Sequence, residues 1–545
     1  GVGRSGVCTA IKARFGVNKK QADVPDLLQI EGGLNSGVSR KVSQQTGVPE
    51  AQVYGVGSFF DLLTDTDKKV RVCTGLSCRM AGADQVLQAM VDAGLPAMGC
   101  SCLAACDRPP AVLRDRDVLP AVSVEDVVRA DGDWTRLLPK KVSSGNLGHV
   151  GPEVDDPDTM AINLLGQADW SGKAFAKAAK IRPEEIIEEI EMSGLQGRGG
   201  AGFSASFKWN AVCSEKETTR YVVLNGDESE PGTFKDREIL MRRPDLVVEG
   251  LAIAAYTIGA RDVYLYLRGE FAFPKAVMTK AIAEFESYNI FPDIRFHMHS
   301  GQGAYICGEE TALLEALEGK RGMPRLRPPY PTEYGLWGKP TLIHNVETIA
   351  CVPSIISNGG DWFRNLGRTE AGSKVYCISG HVKHPGVYEL PLGVTLDELV
   401  EEAGGYIGTP KAFSPGGASS GFLPAKYRDQ SLDFKTMDGL GSLLGSAAVV
   451  VLNDTVDIKW SVSQQLRFFH DESCGQCAPC RIGTRYLHEA LENRICNREQ
   501  GHNPHLQHAA DVAWQMNEGS ICGLGQIASL PLTSAQKFFP EEFDE

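Results

Sequence analysis

The chain has 545 residues, with 55 Lys and Arg against 69 Asp and Glu and a formal net charge of −14. That balance excludes a nonspecific nucleic-acid binder, because phosphate contacts need a basic face. With 42% hydrophobic and 23% charged residues the chain is not disordered, and its length predicts three or more domains.

No stretch of 18 uninterrupted apolar residues occurs, and the opening Gly-Val-Gly-Arg has no apolar core of a signal peptide, so a cytoplasmic protein without a membrane anchor is expected. Fifteen cysteines in such a chain argue for metal and redox chemistry rather than disulfides.

In chain order, residues 1–65 read as helical, with apolar residues at helical spacing in 26–30 and 38–46. Residues 66–130 read as a small α/β domain with strands at 69–73 and 111–113. It holds Cys73-x4-Cys78 and Cys102-x3-Cys106, with Cys100 nearby, two pairs that suit a cluster held between two loops. Residues 131–160 are polar and turn-rich and are expected to be a linker. A helix is expected over 181–192, with Pro183 near its first turn and Glu184, Glu185, Glu188 and Glu189 on its wet side. Strands YVVLNG, DVYLYLRGE and DIRFHMH alternate with helices, which predicts a parallel α/β layer over 161–370. Residues 371–455 change to short strands and hairpin glycines, and 456–545 to helices.

That last block carries Cys474-x2-Cys477-x2-Cys480 and, 42 positions on, Cys522. A triple plus one distant cysteine suits a [4Fe–4S] cluster better than zinc, whose sites come as two separated pairs.

Three glycine-bearing loops fall in the α/β layer. Gly197-Arg198-Gly199-Gly200-Ala201-Gly202-Phe203 fits G-x-G-x-x-G, but an acidic helix and not a strand precedes it, so an ordinary Rossmann turn is rejected. Its backbone N–H groups and Arg198 still suit a phosphate or ring cradle. Asn225 to Arg237 follow the carboxyl end of a strand, where α/β sheets bind ligands. A third loop, Gly301 to Thr311, opens a helix; Glu309 and Glu310 there either serve the site or only complement the helix dipole.

RGGAGF, NGDESEPGTFKDR, GAYICGEETALLEALEGKRG, RPPYP, HNVET and ESCGQCAPCRIGT together resemble the flavin-bearing, NADH-oxidizing subunit of respiratory complex I and the same module of NAD-reducing hydrogenases and NAD-dependent formate dehydrogenases. VYGVGSFFDLL and Cys73, Cys78, Cys102 and Cys106 resemble the small thioredoxin-like [2Fe–2S] subunit of those complexes. The fusion of the two, with FSPGGASSGFLPAKYRDQSLDF and GSAAVVVL, looks most like the β subunit of molybdenum or tungsten formate dehydrogenases.

The resemblance implies a helical region and a thioredoxin-like domain, a Rossmann-like FMN domain, a ubiquitin-like β-grasp domain and a C-terminal helical bundle. It implies FMN, NAD, a [4Fe–4S] cluster on Cys474, Cys477, Cys480 and Cys522, and a [2Fe–2S] cluster on the amino-terminal four. Gly197, Arg198, Gly199, Gly200, Lys208, Asn225, Asp227, Glu228, Tyr305, Gly308, Glu309, Asn345 and Thr348 would line FMN, with Glu228 and Glu309 catalytic. Phe203 would stack on the dinucleotide, with Glu230, Glu310, Arg327 and Tyr330 around it. Arg327 stands where relatives often have Lys, and His344 replaces a common Asn. Cys213, Cys307, Cys351, Cys377 and Cys496 are expected to be buried free thiols.

Such a protein converts between hydride and single electrons. The expected partner is a formate-oxidizing molybdenum or tungsten subunit, since this sequence shows no metal–pterin motif. The alternatives are the diaphorase subunit of a hydrogenase or quinone oxidoreductase and, from another class, a flavin-free electron carrier or scaffold. Because the amino-terminal domain hangs on a linker, its cluster is expected to be dispensable for hydride transfer.

Overall fold

The computed structural model describes residues 19–137, 149–150, 164–287, 289, 293–498 and 505–543. Among these residues, fourteen strands form three sheets.

The amino-terminal sheet contains β1 (Val70–Cys73), β2 (Ala97–Cys100), β3 (Val112–Arg114) and β4 (Asp117–Leu119) in the order β2-β1-β3-β4. β1 and β2 are parallel, and the rest antiparallel. The helices at Val24–Ile30, Val38–Thr46 and Glu50–Gly57 precede it, as their apolar spacing predicts. Their buried side chains Val24, Leu28, Val42 and Val53 join the same core as Ile306, Leu313 and Leu317, so this segment packs on the larger α/β unit.

Residues 131–137 belong to the first domain: Leu137 lies in its core and accepts a hydrogen bond from Arg114 Nη1. β5 (His149–Val150) pairs with a strand more than 200 residues later. The expected linker is therefore tethered at both described points, and its remaining residues, 138–148 and 151–160, lie outside those described.

The central layer is fully parallel. β6 (Tyr221–Gly226), β7 (Asp262–Leu267), β8 (Arg295–Ser300) and β9 (Thr341–Asn345) run in the order β8-β7-β6-β9. β6 is nearly continuous in apolar residues because helices cover both faces. Pro244–Ile258 and Val346–Asn358 pack together on one face, burying Leu251, Ile349 and Ile355. β9 is not among the strands expected from the sequence, and its last two residues open the HNVET motif.

The third sheet holds β10 (Ser373–Gly380), β11 (Gly386–Pro391), β12 (Pro410–Ser414), β13 (Leu423–Pro424) and β14 (Ala448–Asn453), with β5 at its edge, ordered β13-β12-β14-β10-β11-β5. The last unit is helical: Ile458–Asp471, Ala478–Ile495 and Ala509–Gly519 pack in sequence, with Leu530–Phe538 closing on the first. Among the described residues no helix is long and apolar enough to cross a membrane.

Candidate functional site

The site lies where β6 and β9 end. Asn225 and Asn345 are register partners on these adjacent strands, so two short amides stand side by side at the carboxyl edge of a parallel sheet. Asn225 Nδ2 donates to Gly308 O at 2.8 Å, drawing in the loop before helix Glu310–Leu317. Asn345 caps helix Val346–Asn358, its Oδ1 accepting from Glu347 N at 3.0 Å, and its Nδ2 donates to Asp236 Oδ2 at 2.6 Å.

The 197–203 loop closes over this floor. It is pinched by Gly197 N donating to Phe203 O at 2.8 Å and anchored by Arg198 N donating to Thr348 Oγ1 at 2.8 Å. A Cβ on Gly199 would stand 3.0 Å from that of Asn345. Gly200 has φ +143° and faces open space, so its backbone is both strained for any other residue and free to approach a ligand. Arg198 departs from expectation: its guanidinium is fully buried and Nη2 donates to Ala371 O at 2.8 Å, so it presents no cation at the loop surface.

Burial pushes Asp227 up to about 7; its Oδ1 accepts from Ser229 Oγ at 2.8 Å, while Oδ2 is buried with no hydrogen-bond partner. Burial, then repulsion by Asp236, likewise raises Glu228 to about 7. Glu228 accepts from Asp236 N at 2.7 Å and Arg237 N at 2.9 Å, so it ties the loop to the start of helix Lys235–Arg242. Glu309 Oε2 caps its own helix, accepting from Thr311 N and Ala312 N at 2.9 Å each.

Lys208 Nζ pairs with Glu310 Oε2 at 2.7 Å, and Arg327 Nη1 with Glu310 Oε1 at 3.4 Å. Above them stand aromatic rings with no core to enter: Phe203 is 49% exposed and Tyr330 50%, and Phe207 meets Phe203 edge-on at 5.4 Å. Glu230, expected beside the dinucleotide, has both oxygens engaged internally, accepting from Tyr305 Oη and, at 2.7 Å, from Ser419 N. The 416–421 glycine loop packs closely on protein: a Cβ on Gly417, at φ +87°, would collide with Pro231 O and Glu230.

The two cysteine groups flank this floor. Cys477 precedes helix Ala478–Ile495 and Cys522 precedes helix Gly523–Ile527, which brings both ends of the distant pair to helix starts. Burial raises Cys480 to about 12, with Cys474, Cys477 and Cys522 adding repulsion, and Cys522 to about 11. Glu309 is an electrostatic neighbor of both Cys474 and Cys522, and Tyr305 packs on Phe468 with ring centers 4.9 Å apart. One loop, 305–309, thus meets the floor through Gly308 O and lies in the electrostatic neighborhood of the carboxyl-terminal thiols. In the amino-terminal group the thiols perturb one another, Cys73 with Cys78 and Cys102, and Cys102 with Cys106.

Among the described residues no three His, Cys, Asp or Glu converge to hold a single ion. Fit therefore rests on the donor sets, four thiols in each group with no carboxylate or imidazole among them, as iron–sulfur clusters require. All fourteen described cysteines are free thiols; Cys307, Cys351 and Cys377 are buried as expected, but Cys213 is half-buried and Cys496, at the end of its helix, is exposed.

The amino-terminal group does not hang free. Arg268 Nη2 donates to Cys102 O at 2.6 Å and Nη1 to Glu228 O at 2.5 Å, and Arg237 reaches Ala104 O and Asp107. Cys102, Ala104 and Cys106 are part of the central layer's core. Sequence reasoning also passed over Lys235 and Lys374. Both ammonium groups meet Glu347 Oε2, at 3.0 and 2.5 Å, in full burial. Lys235 sits inside the quoted NGDESEPGTFKDR motif, but an ammonium with no exposed role leaves no spacing signal.

Residues 190–354 match the Nuo51 FMN-binding domain, 461–545 the NADH-ubiquinone oxidoreductase-F iron–sulfur binding region, 375–423 the SLBB domain and 10–130 the thioredoxin-like [2Fe-2S] ferredoxin. The NADH-quinone oxidoreductase F 2 protein of Rhizobium meliloti (strain 1021) is 42% identical over 403 residues, 72% of this chain and 95% of that one.

The chain belongs to the family of the NADH-quinone oxidoreductase F proteins.

The NADH-quinone oxidoreductase F protein of Rickettsia typhi (strain ATCC VR-144 / Wilmington) is 39% identical over 72% of this chain and 97% of its own. The fold extends further than that alignment. An NAD+-reducing [NiFe]-hydrogenase chain in the H2-reduced state superposes at TM-score 0.86 and 28% identity, covering 97% of this chain and 93% of that one. This family member therefore carries an FMN-binding domain, a 4Fe–4S region and a thioredoxin-like [2Fe–2S] domain on one chain.

Proposed function

We propose that this chain is the diaphorase subunit of an NAD-linked complex, exchanging hydride between NAD+/NADH and FMN and single electrons with its clusters, and that its electrons come from a formate-oxidizing molybdenum or tungsten subunit. One observation carries the reading. The 305–309 loop borders a floor with a buried, partnerless carboxylate oxygen, Asp227 Oδ2, and its Glu309 is an electrostatic neighbor of Cys474 and Cys522. When bound, FMN supplies the exchange between a two-electron carrier and one-electron centers.

In this reading Gly197, Gly199 and Gly200 offer backbone to the flavin, Asn225, Asp227, Gly308 and Asn345 form its floor, and Arg198 and Thr348 anchor the loop. Lys208, Glu310 and Arg327 form a charged rim, and Phe203 and Tyr330 offer faces to the dinucleotide. Glu228 and Glu309 hold the two loops in place through backbone N–H groups. Tyr305 and Glu230 lock the floor to the 371–455 region. The two cysteine quartets ligate the clusters.

Motifs such as FSPGGASSGFLPAKYRDQSLDF support formate dehydrogenase as the setting. The likeness over nearly the whole chain to an NAD+-reducing hydrogenase supports a hydrogenase diaphorase equally. Free thiols throughout the described residues suit a reducing cytoplasm.

The purified full chain should contain FMN, reduce ferricyanide with NADH and leave formate untouched. Absence of FMN would overturn the reading, and formate turnover by the lone chain would overturn the division of labor. Identifying the largest subunit that copurifies decides between formate dehydrogenase and hydrogenase.

A further inference from the structure

Trp209 is fully buried, and an indole N–H can only donate. It donates to His344 Nε2 at 2.8 Å. Nε2 is therefore the unprotonated nitrogen, and the neutral ring must carry its proton on Nδ1. Burial, helped by the Lys208 ammonium, pushes His344 down to about 3, so the ring stays neutral at any working pH.

His344 is only 6% exposed, yet its Nδ1 forms no hydrogen bond among the described residues and is not one of the buried unpartnered atoms. The one polar atom left over is thus the one that opens outward. It lies one residue before the end of β9, in register with Leu224 on β6, and its charged neighbor is Lys208 of the Lys208–Glu310 pair. A buried donor with a fixed proton and no protein acceptor, beside the Lys208–Glu310 pair at the carboxyl edge of the sheet, is an unfilled hydrogen bond.

We propose that His344 Nδ1–H is a fixed donor to an oxygen of FMN, and that Trp209 is a positioning residue that selects the donating tautomer without touching the cofactor. This rests on the flavin reading above.

The test is the FMN dissociation constant of the full chain, followed by flavin fluorescence on dilution. Trp209→Phe and His344→Phe should each weaken FMN roughly 3- to 10-fold, the range for one lost hydrogen bond. His344→Asn, whose amide can donate, should bind FMN more tightly than His344→Phe. The double variant Trp209→Phe/His344→Phe should be no weaker than His344→Phe alone, because the indole acts through the imidazole. A merely structural role would instead give additive losses. Unchanged FMN affinity in the folded single variants, additive losses, or a rise confined to the KM for NADH would each overturn the proposal. Should Trp209→Phe fail to fold, the His344→Phe and His344→Asn pair carries the comparison. A wild-type chain that binds no FMN would fell the flavin reading itself, a distinct result.

Discussion

Arg237 Nη2 and Asp107 Oδ2 stand 3.0 Å apart, a buried ion pair across the boundary between the central layer and the amino-terminal cysteine loop. Arg237 also holds Glu238 at 2.8 Å and the Ala104 carbonyl, so its charge is fully surrounded. A domain joined only by a linker would have no reason to bury such a pair at its edge, and the two units are one packed body at this point.

Asp107→Ala leaves the Arg237 guanidinium short of a partner and should destabilize the protein by about 3–5 kcal/mol. Asp107→Asn, which keeps an acceptor, should cost less. Denaturant unfolding measures both, and equal effects would show that Glu238 alone satisfies the arginine.

Glu347 pairs with both Lys235 and Lys374, Lys235 also holding Asp236 Oδ1 at 2.6 Å, and it accepts from Val375 N at 2.9 Å, which fastens the central layer to β10. Burial outweighs Glu347 at Lys374 and lowers its pKa to about 8. Glu347→Gln leaves the buried Lys374 ammonium without a carboxylate, while Lys235 keeps Asp236 at 2.6 Å, and should lower stability by about 3 kcal/mol or more. The double variant Glu347→Gln/Lys374→Met should recover part of it, and thermal melts of the three proteins give the answer.

The pH dependence of His344 has a definite sign. Its folded-state value, about 3, lies below the unfolded value of about 6.5, so protons bind the unfolded chain first. The stability it contributes is whole above pH 6.5 and is lost as pH falls toward 3, at up to about 1.4 kcal/mol per pH unit. His344→Gln should therefore lose stability less steeply than wild type between about pH 6 and 4. Parallel curves in melts across that range would show that the ring is not buried neutral.

Cys477→Ser and Cys102→Ser divide the electron path. With Cys474 beside the 305–309 loop, Cys477→Ser should leave flavin bleaching by NADH measurable in stopped flow but stop delivery to the partner. Cys102→Ser should lose a [2Fe–2S] resonance while NADH–ferricyanide activity survives. The Arg268 bridge from Cys102 O to Glu228 O adds an expectation absent from the linear sequence: flavin affinity falls as well, by a few-fold. An unchanged FMN content in Cys102→Ser would separate the two units functionally.

Glu230→Gln tests nucleotide choice. Because both carboxylate oxygens are already engaged by Tyr305 and Ser419, the NADH/NADPH ratio should shift by less than about threefold. A larger shift would mean that Glu230 reaches the ribose by releasing one of them.

Chemistry that depends on spacing along the chain was legible from the sequence. Cys474, Cys477 and Cys480 lie within one turn and helix start, and strands such as Tyr221–Gly226 carry their burial pattern in their own residues. Ordered motifs likewise marked the region that matches an FMN-binding domain, and a helix before Gly197 ruled out an ordinary Rossmann turn. What only the tertiary structure decided were pairings with no sequence period: Arg237 with Asp107, Lys374 with Glu347, Trp209 with His344, and Glu230 with Ser419, separated by 130, 27, 135 and 189 positions. Their polar atoms are buried, and a buried polar atom must find a partner wherever the fold brings one. Local patterning specifies which face of an element turns inward, but not what it meets there. That is why Arg198 and Glu230, read from their motifs as ligand contacts, turn out to hold domains together, while His344 is left with a proton to donate.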